Sequence, residues 1–311
     1  MRAVVTASLG SGPMLTEVET PHAGEGEIRI RVRSSSLNGF DTALHRGYFA
    51  GMLEHRFPVV LGKDFAGTVD QIGDGVTEFA PGSEVFGVVM SHQPLSAGAL
   101  GEYVVVPASY AVAPMPAGLD HRTAGVIGLA GAAAVGVINA TDPREGDLVL
   151  VSGATGGVGA FALQLLAARG ATVIATATPG AESDHVRELG ATYVVDYTLD
   201  VPAQVRALAP DGVDVVLHLA GDPSALAGLL SAGGRLASLL GILPDQFVGR
   251  EIAATSVIAS PDRELLESLA GEITAGRLRI PIQRSYSLDE VPKAFDDFAA
   301  GTLGKLSVTI S

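Results

Sequence analysis

The chain has no cysteine. That excludes disulfides, a cysteine nucleophile and a thiolate zinc site together, while leaving the compartment open. Cations are scarce. The 20 Lys and Arg residues stand against 34 Asp and Glu, a formal net charge of -14. So acidic a chain repels phosphate backbones, which argues against a nucleic-acid partner, and the charge reads as solubility. No apolar run is long and uninterrupted enough to span a bilayer, so no membrane is expected. The opening residues Met1-Arg2-Ala3-Val4-Val5 start in a strand pattern, without the apolar core and cleavage site of a signal peptide. A cytoplasmic protein is the expectation. Internal repeats, low-complexity tracts and long linkers are missing too.

What is present is a large apolar complement in 311 residues, enough for two modest domains. The stretch that organises them runs from Asp147 to Gly159. Leu148 to Val151 has the length and residue types of a buried strand. Gly153, Gly156 and Gly159 follow at a spacing of three, and Ala160 to Ala168 are good helix formers. Strand, glycine turn and helix form a phosphate cradle. Glycines let the backbone turn tightly and approach a pyrophosphate, and the helix start offers free N–H groups. The competing reading is a tight crossover with no ligand.

Residues 1 to about 117 read as mostly β. Arg2–Thr6, Leu15–Val18, Glu27–Ser34, Val59–Ile72, Glu84–Val89 and Gly101–Val106 are the expected strands. Within them Ile28-Arg-Ile-Arg-Val-Arg33 alternates with period two. Turn signals at Gly73-Asp-Gly75, Pro81-Gly82 and Ser96-Ala-Gly98 separate them, which suggests a closed or partly closed barrel. Asp120 to Asn139 reads as one helix capped by Asp120. From Asp147 strand and helix alternate, with strands at Leu148–Ser152, Thr172–Thr176, Tyr193–Asp196, Val213–Leu219, Arg235–Leu240 and Ile252–Ile258. Such alternation implies a parallel sheet covered on both faces, and six strands suit a dinucleotide-binding Rossmann domain. A helix over Pro261–Gly276, started by Asp262, precedes a strand–helix–strand tail. In the simplest assembly the tail pairs with the N-terminal β-domain, so that the Rossmann unit is an insertion. The domains are then 1–117 plus 259–311, and 118–258.

Several segments resemble, in order, those of the zinc-independent quinone oxidoreductases in the medium-chain dehydrogenase/reductase superfamily. They are Phe57-Pro-Val-Val-Leu-Gly-Lys-Asp-Phe-Ala-Gly67, Gly101-Glu-Tyr-Val-Val-Val-Pro107, the Val149–Gly159 loop, Leu189-Gly-Ala191 with Val195-Asp-Tyr197, and Gly304-Lys305. The resemblance covers essentially the whole chain. It implies an α/β protein in which a Rossmann domain is inserted into a GroES-like, mostly β, barrel-type catalytic domain. It also implies a nicotinamide cofactor held by Gly153, Ala154, Thr155, Gly156, Gly157, Val158 and Gly159, with Lys305 among the contacts.

The end of the second Rossmann strand, Ala175-Thr-Ala-Thr178, carries no acid to accept from a ribose 2′-hydroxyl. That favours NADPH. The family often has a cation a few residues on, where this chain has Glu182, a departure. Thr176, Thr178 and Ser183 are candidate cofactor contacts, with Arg187, His185 or Tyr197 in reach of a 2′-phosphate. Gly221 and Gly241, at later strand ends, suit close approach of the cofactor. His218 reads as a packed strand residue.

The zinc-binding relatives carry Cys at one ligand position and Gly-His-Glu at another. Here the matching residues are Asn38 and Lys63, neither a competent zinc ligand, so no metal is expected. The resemblance turns these positions toward the cavity beside the nicotinamide. Asn38 is then a donor to a substrate carbonyl, or a structural amide capping the turn before Asp41. Lys63 stabilises the developing oxyanion and delivers a proton, or it pairs with Asp41 or Asp64. Asp41 orients the loop. Tyr48 and Phe49 wall the acceptor site or pack at the surface. Ala130-Gly-Ala-Ala-Ala134 replaces a Leu-Thr-Ala step, which makes room for a bulky acceptor or reflects helix packing.

The leading expectation is an NADPH-dependent reductase of quinones or α,β-unsaturated carbonyls, working as a homodimer through the apolar edge Ile252–Ile258. An enoyl-thioester or biosynthetic tailoring reductase is one alternative, and a non-catalytic NADPH-binding protein is another.

Overall fold

The computed structural model describes residues 1–243 and 246–311 in full. The chain divides into two compact units, residues 1–129 with 261–311, and residues 130–260. The first boundary therefore falls 12 residues beyond the expected 117. The short helix between them belongs to the first unit because it packs on three strands of that unit.

The first unit opens with β1 (Arg2–Thr6), β2 (Met14–Glu17), β3 (Glu27–Ser36), α1 (Gly39–His45), β4 (Val59–Val60), β5 (Asp64–Ile72), β6 (Glu84–Val88), β7 (Tyr103–Pro107), β8 (Val112–Pro114) and α2 (His121–Ala124). α3 (Gly128–Thr141) begins at the boundary. The second unit follows as β9 (Leu148–Ser152), α4 (Gly157–Ala168), β10 (Thr172–Thr176), α5 (Ala181–Glu188), β11 (Tyr193–Val195), α6 (Val201–Leu208), β12 (Val213–His218), α7 (Pro223–Ala227), β13 (Leu230–Ser238) and β14 (Ala253–Ser256). α8 (Arg263–Thr274), β15 (Ile282–Ser287), α9 (Val291–Ala299) and β16 (Lys305–Thr309) return to the first unit.

In the first unit a three-stranded sheet runs β2-β1-β4, and a seven-stranded sheet runs β15-β16-β3-β5-β6-β8 with β7 also on β3. The tail does pair with the N-terminal strands, since β16 lies antiparallel to β3 from Ser34 to Ser36. β3 shows how its pattern makes it central. Ile28, Ile30 and Val32 alternate into the core while Arg31 faces water. The alternation then stops, and Ser34, Ser35 and Ser36 are all buried. A buried polar run needs partners, and these lead to the site below.

Two expected elements break in the structure. The stretch Val59–Ile72 is two strands in two different sheets, divided at Gly62. Gly62 has φ +97°, and a Cβ there would lie 2.6 Å from the Leu100 backbone nitrogen. The expected helix from Asp120 to Asn139 is α2 and α3. Asp120 does cap the first, accepting from the Thr123 N–H. Gly125 ends it against β3, where a Cβ would meet Ser34 Oγ at 2.7 Å.

The second unit is a six-stranded sheet in the order β11-β10-β9-β12-β13-β14, with every adjacent pair parallel. The chain runs outward from β9 to β11, then returns to lay β12 on the other side. The carboxyl ends of β9 and β12 therefore form a topological switch point, where open α/β sheets bind ligands. Leu150, Ile174, Val216 and Leu236 fill its core. No helix among the described residues is long and apolar enough to cross a membrane.

Candidate active site

β9 ends at the switch point in a turn held from both neighbouring strands. Gly153 has φ +69°, and its N–H donates to Thr176 Oγ1 at the end of β10 (3.0 Å). On the other side Ser152 Oγ accepts from Leu219 N–H (3.1 Å), just past β12. Gly156 caps α4. A Cβ on Gly159 would sit 2.3 Å from the Ala154 carbonyl oxygen, so only glycine lets the helix close onto its own entry turn. The N–H groups of Gly157, Val158 and Gly159 have no acceptor among the described residues. The Gly153–Gly159 turn, with Ala154 and Thr155 inside it, thus combines close backbone approach with free donors at a helix start. That fits the pyrophosphate of a dinucleotide.

Gly221 and Gly241 lie beyond β12 and β13, both with positive φ (+88° and +78°), and neither would place a Cβ against a neighbour. Their glycine is required by the backbone turn itself. His218 is packed, as expected, and it braces this edge. Its Nδ1 lies 2.8 Å from Ser238 Oγ and its Nε2 lies 3.0 Å from the Gly221 carbonyl. The carbonyl can only accept, so Nε2 carries the proton.

The end of β10 departs from expectation. Glu182, in the first turn of α5, folds its carboxylate back toward the strand. One oxygen accepts the Thr178 N–H (2.7 Å) and the other accepts the Tyr197 hydroxyl (3.1 Å). The carboxylate raises the Tyr197 phenol pKa, after the larger effect of desolvation. Ser183 is buried and donates to the Gly180 carbonyl (2.9 Å). Of the donors expected to grip a 2′-phosphate, the Ser183 and Tyr197 hydroxyls and the Thr178 backbone N–H are therefore used within the protein. Thr176 also points inward, receiving the Gly153 N–H.

The first unit assembles a second constellation around Asp64, which is fully buried. One Asp64 oxygen accepts from Ser36 Oγ (2.5 Å), Asn38 Nδ2 (2.9 Å) and Lys305 Nζ (3.4 Å); the other accepts the Leu129 N–H (2.7 Å). Lys305 also donates to Asn38 Oδ1 (2.6 Å) and the Leu37 carbonyl (3.0 Å). This corrects two expectations. Lys305 is not a cofactor contact, because its three N–H donors are spent on buried partners. The Asn38 amide is not free for a substrate carbonyl, because its oxygen is taken by Lys305 and its N–H groups face Asp64 and Ser36 (3.4 Å). Burial lowers the pKa of Lys305, and the Asp64 charge opposes the shift.

Asp41 does orient the loop. Its carboxylate accepts the Gly62 N–H (2.9 Å) and the Asn38 N–H (3.0 Å), tying α1 to the Gly62 kink. Burial pushes its pKa up to about 6 against the pull of those N–H donors and of Lys63.

Lys63 forms neither expected ion pair. Its Nζ donates to Ser91 Oγ (2.8 Å) and lies 4.4 Å over the centre of the Phe40 ring. Desolvation brings its pKa down to about 8, with Asp41 holding it from falling further. Tyr48 is 63% exposed and lines an open cleft of about 420 Å³ with Thr42, Arg46 and Phe298. Phe49 packs on Phe40 instead, at 5.0 Å between ring centres. Ala130, Ala132 and Ala134 are buried in α3, as helix packing requires.

Sequence reasoning missed Asp64 as the hub and Ser36, Ser91 and Phe40 as partners. The available signal was the serine run at the end of β3, where alternation fails in a strand otherwise built to bury every second residue.

No group of three or more His, Asp or Glu among the described residues is placed to hold a metal ion. Two lysines and an amide are also the wrong donor chemistry for zinc.

A glycine-lined phosphate seat at the switch point of a six-stranded parallel sheet, inserted into a β unit, defines a dinucleotide-dependent enzyme class. Comparison with known proteins agrees. The family described as alcohol dehydrogenase GroES-like domain matches residues 24–117, and that described as zinc-binding dehydrogenase matches residues 189–306. The Drosophila melanogaster protein named NAD(P)H oxidoreductase RTN4IP1, mitochondrial, is 32% identical over 91% of this chain and 79% of its own length. A Mycobacterium tuberculosis mycocerosic acid synthase-like polyketide synthase is 32% identical over 92% of this chain, which spans 14% of that protein. Among solved structures, the quinone oxidoreductase from Coxiella burnetii superposes with a TM-score of 0.90 at 25% identity, covering 100% of this chain and 99% of that one. The chain belongs to the medium-chain dehydrogenase/reductase superfamily, in its quinone oxidoreductase branch, and is an oxidoreductase that uses a nicotinamide cofactor.

Proposed function

We propose that the protein reduces a quinone or an α,β-unsaturated carbonyl without a metal. The observation that carries this reading is Lys63, a buried cation that forms no direct ion pair with a carboxylate among the described residues, at a position where zinc-binding relatives place a ligand. A bound nicotinamide, held at Gly153–Gly159, supplies the hydride. Hydride addition builds negative charge on the acceptor oxygen. A desolvated ammonium stabilises that charge far better than water does, and one with a pKa of about 8 also gives up its proton readily. Ser91 and the Phe40 ring fix the direction of Nζ, while Asp41 keeps it charged. Tyr48 and the cleft it lines offer an apolar and hydroxyl-bearing surface to a flat acceptor.

The polyketide synthase relative supports a second reading, reduction of a conjugated thioester. Loss of cofactor absorbance measured against quinones, enals, enones and enoyl thioesters separates the two. Turnover of quinones and enones above thioesters supports the first reading, and the reverse order supports the second. Cofactor binding without turnover of any acceptor overturns both.

A second copy of the chain is the proposed partner. Among the described residues β14 pairs only with β13 and ends the sheet, with Val248 and Ile258 exposed to 80% and 90% on either side of it. Light scattering on the eluted protein tests for the dimer.

A further inference from the structure

We propose that Glu182 reads the adenosine ribose of the cofactor and selects NADH, which carries a free 2′-hydroxyl, over NADPH, which carries a phosphate there. The proposal rests on the nicotinamide reading and replaces the NADPH expectation with its opposite.

Position comes first. β10 lies beside β9, and the ends of the two strands are joined by the Gly153 N–H to Thr176 Oγ1 bond of 3.0 Å. With the pyrophosphate at the glycine turn, the adenosine ribose lies toward the end of the second strand of the unit, where an acid binds the 2′-hydroxyl in NAD-dependent Rossmann domains. The chain has no acid on that strand end. Glu182 supplies one from the following helix turn, because the Thr178 N–H at 2.7 Å draws its carboxylate back to the strand.

The carboxylate is also held in place. The Tyr197 hydroxyl, beyond β11, donates to its second oxygen at 3.1 Å. Each oxygen thus accepts one protein hydrogen bond and keeps a lone pair for a ribose hydroxyl. A group fixed from two sides loses little freedom when it binds.

The charge points the same way. Glu182 makes no ion pair with a cation among the described residues, and Asp184 shares its helix turn. Asp196 lies near Tyr197 and, after Glu182, also raises its phenol pKa. A 2′-phosphate placed here would meet the Glu182 carboxylate, with the Thr178 N–H and the Ser183 and Tyr197 hydroxyls already spent on Glu182 and Gly180 and the basic residues of the helix, His185 and Arg187, in its last turn. Repulsion of like charges at such range makes NADPH binding weaker by about tenfold or more.

Isothermal titration of the purified full-length chain with NADH and with NADPH tests this without any acceptor. The expected result is NADH bound about tenfold or more tighter. Glu182→Gln should narrow the gap and Glu182→Lys should invert it. Tyr197→Phe, which frees one side of the carboxylate, should narrow it less. Equal binding of the two cofactors by the unsubstituted protein, or tighter NADPH, overturns the proposal while leaving the nicotinamide reading intact. An unchanged preference in Glu182→Lys also overturns it. Failure of both cofactors to bind would overturn the nicotinamide reading and the proposal with it.

Discussion

Lys305 Nζ lies 2.6 Å from Asn38 Oδ1, joining the last strand of the chain to the residue that opens α1. Both residues are buried, and both are tied to Asp64. Replacing Lys305 by Met should therefore act on stability. It strands the Asp64 charge and two carbonyl oxygens at once, which costs about 3–5 kcal/mol when a buried pair is broken. Urea unfolding measures the loss. Titration of the folded variant should show cofactor affinity unchanged, and a stable variant with weakened cofactor binding would restore Lys305 to the cofactor site.

Lys63→Met should leave cofactor affinity intact and lower kcat by about a hundredfold, the usual contribution of a positioned proton donor. In the unsubstituted enzyme the active form is the ammonium, whose pKa is brought down to about 8. kcat should be flat below that value and fall as pH rises through it. A pH profile that descends only above 10, or an unimpaired Met variant, removes Lys63 from the chemistry.

Asp41 contributes to stability in the opposite sense from most carboxylates. Its folded pKa, about 6, lies above its ordinary 3.8. Between those values the folded protein holds a proton that the unfolded chain has released, so this residue favours folding more as pH falls through that window. Asp41→Asn should remove this dependence. It should also cost about 1–3 kcal/mol, because an amide cannot accept from both the Gly62 and Asn38 N–H groups. Denaturation of the two proteins at pH 7 and at pH 5 checks both statements, and parallel pH dependences would contradict the first.

Gly159→Ala places a methyl 2.3 Å from the Ala154 oxygen. The turn must open to admit it. Both stability and dinucleotide affinity should fall, the former by about 1–3 kcal/mol and the latter by about tenfold. Calorimetric titration and urea unfolding report the two effects separately.

These outcomes separate what was legible in the sequence from what was not. The glycine turn was legible because its signal is local: strand, turn and helix adjoin in the chain, and β9 and β10 fall where the residue pattern puts them. The tail's return to β3 was legible as the simplest way to pair its strands. Asn38 and Lys305 were misassigned because their partners are far away in sequence, 267 residues apart in this pair. No spacing rule connects them. The placement of the Glu182 carboxylate was not legible for a different reason. Counting along β10 asks what the strand end carries, whereas the fold supplies the acid from the next helix, drawn back by one N–H. Gly62 and Gly125 broke expected elements because the walls they approach, Leu100 and Ser34, come from elsewhere in the fold.

The insertion of one unit into another sets an order of events at the ribosome. Residues 130–260 are continuous and can complete their own core as soon as they emerge. The β unit cannot. β3 leaves early, yet its Ser34–Ser36 segment and the Asp64 carboxylate wait for β16 and Lys305. Through most of synthesis that acid stands without its cation, and the unit that was begun first is finished last.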